Sequence, residues 1–578
     1  MSIRDIRFAT PKMPRGQHVL FPQRLDEVIA GDAPVRALVA LLEDVDWYEW
    51  ERAYAGSGQP GIHPRYLAGA ILWGLLNKMR SSRVLERASH KDLDFIWLLE
   101  GFTPDHSTFA EFRTKHAEAI KGLQVHFARA LVERREKALL HLIIDGTRIR
   151  ADSGRQGART AETIEYIIGE LERRMEALKR GDAEAEQAAQ TAYLEGLARP
   201  EDEKEKLAEI NEEIARLEAK RAKYQKALGV AQERDEQARK HNGKKARPAR
   251  VPVTDPESQM LPNKEGGFGP NYTPTATVES QTGAIVHADV LADSDEAGAV
   301  MPAVAAAEAL TGEKVGAVLA DSNFAAGPVL EALAENGTEA YMPTRSASPA
   351  DNPALRPDPS IPVAEEDRGR LPRTGGQFAR SAFVYDAEAD AYYCPKGEKL
   401  DPYKRGTSKS GARCTYYTTR ACAGCPMAGE CIKGKGASRS ISRDEYEERR
   451  EEADRRMATP EGKAIYKQRS PGIEGVFAVI KANMGIRRFT VRGIAKVRAE
   501  WNWICAAYNL KKLLAMEARS ACGAPGNGDS SDTGVKKREI GQFRLPSWAT
   551  IAQEMLRTKK WHRCTNWQWQ KARTPEVA

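Results

Sequence analysis

The chain has 578 residues, 41% of them hydrophobic and 29% charged, with a net charge of +7. That length supports roughly three or four domains, and no run approaches the roughly 18 apolar residues of a membrane-spanning helix. The amino-terminal MSIRDIRFATPKMPRG also lacks the apolar segment of a signal peptide, so a cytoplasmic protein with no membrane partner is expected.

The distribution of charge says more than its total. Between Ile486 and Lys512 stand seven Lys or Arg and one acid, Glu500, and a second basic block runs from Lys536 to Arg563. Such patches attract polyanions. Five of the eight cysteines fall between 394 and 431, and clustered cysteines in a cytosolic chain point to metal ligands rather than disulfides.

Residues 1 to about 135 read as helical. HPRYLAGAILWGLLNKMRSSRVLERA (63–88) has helical apolar spacing, KDLDFIWLLEG (91–101) is a second helix stopped by glycine, and Asp105 or Ser107 is placed to cap a third. Arg80, Arg83, Arg113 and Lys115 are placed to touch a nucleic-acid backbone, although a helical bundle with surface cations has the same pattern.

At Leu139 the period changes. The run Leu139–Ile144 has strand length and delivers Asp145 at its end, with Asp152 close by. Residues 158–245 then read as two long helices of an antiparallel coiled-coil arm turning near Pro200. Alternation resumes in TATVESQTGAIVHADVL (275–291), a hairpin around Gln-Thr-Gly, followed by an Ala-rich helix over 297–310. VGAVLADSNF repeats the earlier device, a buried strand followed by an acid, here Asp321. After a helix closed by Gly337, EAYMP (339–343) reads as one more strand.

Residues 345–380 are rich in Pro and Gly and read as loops. Cys394 and then Cys422-x2-Cys425-x5-Cys431 form a zinc-ribbon-like pattern, with these four expected to hold a structural Zn2+ and Cys414 left between them. Tyr466 to Lys481, YKQRSPGIEGVFAVIK, reads as a helix starting at Ser470-Pro471. Ile473, Val476, Phe477 and Ile480 make its apolar stripe, and Glu474 and Lys481 share a polar edge, with Tyr466 and Arg469 just before the start. An amphipathic helix with a solvated Glu-Lys edge fits equally well when this segment is read alone. The basic turn carrying Arg487 and Arg488 leads into a helix with Ile504, Tyr508, Leu510 and Leu514 inward. A linker (520–534) and a basic tail with Trp561, Trp567 and Trp569 follow.

Taken together, Asp145 in IIDGTRIRA, Asp321 in LADSNF and Glu474 in YKQRSPGIEGVFAVIK resemble the DDE transposases of bacterial insertion sequences. The resemblance is to the group with the Y-(2)-R-(3)-E-(6)-K signature, matched by Tyr466, Arg469, Glu474 and Lys481 except that four residues separate Arg469 from Glu474. It covers about residues 15–515: the segments around 63–86 and 104–113 are similar to that family's amino-terminal helical domain, and the Cys segment to an insertion in one subgroup.

The resemblance implies an α/β fold with a ribonuclease H-like catalytic core in three pieces, 136–157, 246–345 and 441–518. Around these it implies a helical DNA-binding domain (1–135), the coiled-coil insertion (158–245), the loop and Cys-rich insertion (346–440), and the linker and tail (519–578). It implies that Asp145, Asp321 and Glu474 hold Mg2+ or Mn2+ for phosphodiester hydrolysis at a transposon end, which frees a 3′-OH that then attacks target DNA. The implied partner is double-stranded DNA, as terminal inverted repeats and target, bound by a homodimer. Arg469, Lys481, Arg487 and Arg488 are expected at phosphates and Tyr466 at the terminal nucleotide. A non-cutting DNA-binding scaffold and a ribonuclease H-like nuclease are the rival readings.

Overall fold

The computed structural model describes residue 10, and residues 24–54, 60–136, 140–194, 200–243, 246–263, 266–292, 295–344, 348, 351–408, 411–432 and 437–521. Nearly all of the expected linker and the Trp-bearing tail lie outside these residues. The chain divides into two compact units: residues up to Gly74, Met79–Ala110 and those from Leu510 on form one, and Leu75–Lys78 with Glu111–Asn509 the other.

The first unit is helical, with Trp50, Ile71, Phe95 and Trp97 in its core. Asp26 ties it together by accepting from Arg36 at 2.8 Å and from the Trp97 indole at 2.9 Å. The expected helix over 63–88 is two, Pro64–Leu76 and Ser82–Lys91. Lys78 stands at φ +64 and Met79 N–H donates to Gly74 carbonyl at 2.7 Å, a left-handed stop that no glycine announced. Asp105 caps the next helix, accepting from Thr108 N–H at 2.6 Å.

The second unit is built on a mixed sheet of seven strands: β1 (Leu140–Gly146), β2 (Ile149–Arg150), β3 (Gln259–Pro262), β4 (Phe268–Glu279), β5 (Ile285–Leu291), β6 (Val315–Leu319) and β7 (Glu339–Tyr341). The order is β5-β4-β1-β6-β7, antiparallel across β5, β4 and β1 and parallel from β1 through β6 to β7, with β2 and β3 extending β4. Leu142, Ile143 and Ile144 are fully buried, the pattern of a strand covered on both faces. The hairpin over 275–291, the helix Val300–Thr311 and the strand Glu339–Tyr341 stand where the sequence placed them.

Helices seal the sheet through specific polar contacts as well as apolar burial. The fully buried Asn509 accepts from Ile285 N–H and donates to Ile285 carbonyl, both at 2.9 Å, extending the edge of β5 as another strand would. Gln124 donates to the same carbonyl, and the Trp501 indole donates to Thr275 carbonyl at 2.9 Å. The single acid of the basic stretch, Glu500, is buried and accepts from Thr490 N–H at 2.8 Å.

Two insertions leave this core. Helices Ala161–Leu194 and Pro200–Asn242 pack as an antiparallel pair, with Ile164, Ile168, Leu171 and Met175 facing Leu217, Ala227 and Ala231. A short ladder, Ala158–Arg159 with Val251–Pro252, closes their base. The second insertion holds more order than a loop: β8 (Val384–Asp386), β9 (Ala391–Tyr393), β10 (Lys399–Thr407), β11 (Arg413–Thr418) and β12 (Ser440–Asp444) form an antiparallel meander. Its apolar signal is weak because β10 exposes all but Leu400 along its length.

Candidate active site

Strand register decides where the first two acids stand. β1 and β6 run parallel with Ile143 opposite Leu319. Asp145 and Asp321, each two residues further on, therefore leave the same edge of the sheet together. Arg469 joins them, its Nη2 lying 3.0 Å from Asp145 Oδ2 and 3.9 Å from Asp321 Oδ2. Gly146 N–H donates to Asp145 at 2.9 Å, and Asn323 N–H to Asp321 at 2.8 Å. Burial pushes the Asp145 carboxyl up from 3.8 to about 6; the Arg469 charge pulls it back, and Asp321 and Glu296 push it up again.

The segment bearing Glu474 does not begin at Ser470. Arg469 is already helical and Ser470 makes no side-chain cap, because the chain runs on helically from Pro460–Tyr466 through a turn. Ser470–Glu474 is a π-turn. Its i→i+5 bonding takes in one residue more than an α-turn, so the four residues between Arg469 and Glu474 span a single turn, as three would in an α-helix. The apolar stripe holds: Ile473, Val476, Phe477 and Ile480 are buried. Gly472 brings this segment hard against β1, since a Cβ there would stand 2.3 Å from Ile143 Cδ1. Glu474 itself is exposed, and the ion pairs that join Asp145, Asp321 and Arg469 do not include it.

The flanking residues gather at the same edge. Lys481, in a second π-turn (Val479–Asn483), donates to Thr147 Oγ1 and, at 3.0 Å, to Arg148 carbonyl, fixing the loop that follows Asp145. Tyr466 is half-buried and feels the charges of Arg469, Asp321 and Asp145; burial raises its phenol. Arg487 and Arg488 are exposed, and Arg488 pairs with Asp152 at 2.9 Å. In the helical unit Arg83 is exposed and Arg80 partly so. Arg113 differs from its expected place at a backbone phosphate: it is buried, 3.8 Å from Glu500. Its position on the apolar side of helix His106–Lys115 was not marked by the neighbouring cations.

The sequence reading missed Glu296. Its Oε2 accepts from Asn323 Nδ2 at 3.1 Å, and its Oε1 lies 3.1 Å from where a Gly146 Cβ would be. The carboxylate thus sits against the backbone beside Asp145, and burial, with Asp321 nearby, raises its pKa. Its signal was hidden because acids at a helix start are ordinary, and the adjacent Asp295 does cap Ala297 at 3.1 Å.

Away from this edge, Cys394, Cys422, Cys425 and Cys431 line one pocket of the meander, while Cys414 lies on β11 outside it. All are free thiols. Among the described residues no three His, Cys, Asp or Glu side chains stand at the spacing of a formed metal site, and no helix is long and apolar enough to cross a membrane.

Comparison with known families gives two matches. A family described as a transposase DDE domain matches residues 393–514, which hold the four pocket cysteines and the segment from Tyr466 to Lys481. A second family, described as a transposase domain, matches residues 23–115 of the helical region. No curated protein matches the chain. The chain is thus similar to a transposase domain at its helical start and to a transposase DDE domain over the segment carrying Glu474.

Proposed function

We propose that the protein cuts the ends of a transposon and joins them to target DNA, with Asp145, Asp321 and Glu474 as its catalytic carboxylates. The observation that carries this reading is the meeting of Asp145 and Asp321 under one guanidinium at the edge of β1 and β6. The strand order, three antiparallel and then two parallel, supports a ribonuclease H-like core.

The donors suit a hard divalent ion: carboxylate oxygens, crowded enough that burial and like charge raise Asp145 to about 6. Mg2+ or Mn2+ held by Asp145, Asp321 and Glu474 would supply the activation of the attacking oxygen and the neutralisation of the leaving one. The protein's own residues do the rest. Arg469 balances the two aspartates, and its guanidinium is the group released toward a DNA phosphate once they are otherwise neutralised. Lys481 holds the Thr147–Arg148 loop, and Arg487 and Arg488 present cations on the adjoining surface. Glu296, at the Asn323 amide, keeps Asp145 and Asp321 under negative pressure that favours a cation between them. The arm, as a coiled coil, supports the pairing of two subunits across two DNA ends.

The test is metal rescue. Asp321→Cys is expected to lose cleavage of a duplex bearing the element's end in Mg2+ and to regain part of it in Mn2+, which accepts thiolate more readily. Undiminished cutting by this variant in Mg2+ would remove Asp321 from the metal.

A further inference from the structure

The meander of β8 to β12 carries chemistry that the cutting of DNA does not use. Cys394 and Cys422 each open a tight turn at the border of its pocket, closed by a backbone bond three residues on. In the first, Gly397 N–H donates to Cys394 carbonyl at 2.8 Å and Gly397 takes φ +82; a Cβ there would collide with Ser360 carbonyl at 2.0 Å. In the second, Cys425 N–H donates to Cys422 carbonyl at 3.3 Å and Gly424 takes φ +74. The N–H groups of Lys396 and Glu398 face the Cys394 thiol. Cys431 closes the set from the end of the helix Ala428–Cys431.

Charge supplies an independent pointer. A divalent ion bound by four thiolates carries a net charge of about −2, and two arginines stand ready beside the pocket. Arg356 donates to Cys394 carbonyl at 3.0 Å, and Arg439 to Cys431 carbonyl at 3.3 Å. Each is held by further carbonyls, Arg356 by Ala354 and Arg439 by Phe378. Neither forms a carboxylate ion pair among the described residues, whereas Arg413 and Arg443 of the same meander do. Phe378, Leu400 and Met427 form an apolar wall against which the partly buried thiols pack. Cys414, on a strand and outside the pocket, is the one cysteine of the segment left out.

We propose that Cys394, Cys422, Cys425 and Cys431 bind one structural zinc ion, with Arg356 and Arg439 offsetting the charge of the tetrathiolate. The four sulfurs border the pocket without meeting at ligand spacing; binding of zinc would draw the two turns together. Four protein ligands leave no open position for a substrate, so the ion is a clasp. It joins the turn before β10 to the segment before β12, and β12 leads through Asp444 and Arg450 (2.8 Å) into the helices that end at Glu474. This inference is independent of the role given to the carboxylates.

The experiment uses the full chain, expressed with zinc supplied and purified without chelator. Elemental analysis is expected to find one zinc per chain. Titration with an organomercurial is expected to release it as the four thiols react, and Cys414→Ser is expected to retain it. Exchange into Co2+ is expected to give the charge-transfer and d–d bands of a tetrahedral tetrathiolate, a readout on the unmodified chain that does not depend on a variant folding. A chain without zinc, a cobalt spectrum lacking tetrathiolate character, or zinc kept in full by Cys422→Ser/Cys425→Ser overturns the assignment.

Discussion

Asp145 concentrates the energetics of the site in one side chain. Its carboxyl is held near 6 against an ordinary 3.8 by burial first, with Arg469 opposing. A raised acid favours the folded state fully below about 3.8, and that contribution is lost as pH rises through 6, because the unfolded chain gives up its proton earlier. The size is on the order of 3 kcal/mol at most. The metal-free protein is therefore expected to lose stability between pH 4 and 6, roughly, and Asp145→Asn to flatten that slope in a series of thermal melts. Glu296→Gln is expected to weaken Mn2+ binding without unfolding the sheet, read by the paramagnetic signal of bound Mn2+. At this scale much was legible: Asp145, Asp321 and the Tyr466–Lys481 segment could be picked out from their places beside strands and on a helix. Arg113 and Glu296 could not, because burial of a cation and the approach of a carboxylate from another element are tertiary facts with no local signature.

Among the elements, the π-turn at Ser470–Glu474 reconciles a spacing that departs from the family pattern with an unchanged face. Deleting one residue from it is expected to restore an α-turn, so the spacing tolerates that loss better than an insertion of one; end cleavage by the two variants checks this. Gly472→Ala faces Ile143 Cδ1 at 2.3 Å and must lift the segment from β1. A cost of about 1–3 kcal/mol is expected from such overpacking, with cleavage falling more than stability does. Asn509→Ala leaves Ile285 N–H without its partner and is expected to cost about 1–3 kcal/mol in denaturant melts. Strands β1 and β6 announced themselves as apolar runs of strand length. The meander did not, since β10 is exposed on both faces and its order comes from pairing with β11 rather than from burial. Helical spacing over 63–88 likewise ran through a stop made by Lys78, a residue with no turn preference.

For the molecule as a whole, the mixed sheet draws on segments far apart in the chain, so that Asp145 and Asp321, 176 positions apart, meet at one edge under Arg469. Long helices and individual strands were readable because each repeats a period along the chain, whereas the order of the strands in the sheet and the joining of distant segments depend on register. Ile143 opposite Leu319 is the pairing that makes two separate acids into one site. The central claim is that Asp145, Asp321 and Glu474 act together on a phosphodiester. It is tested most directly by Mg2+-dependent cleavage of a labelled duplex carrying the element's own end, by wild type and by Asp145→Asn, Asp321→Asn and Glu474→Gln. The account predicts nicking by wild type, none by the three variants, and equal DNA binding by all four proteins. Cleavage by Glu474→Gln at the wild-type rate would contradict it, and wild type that binds the end without ever cutting would make the protein a scaffold.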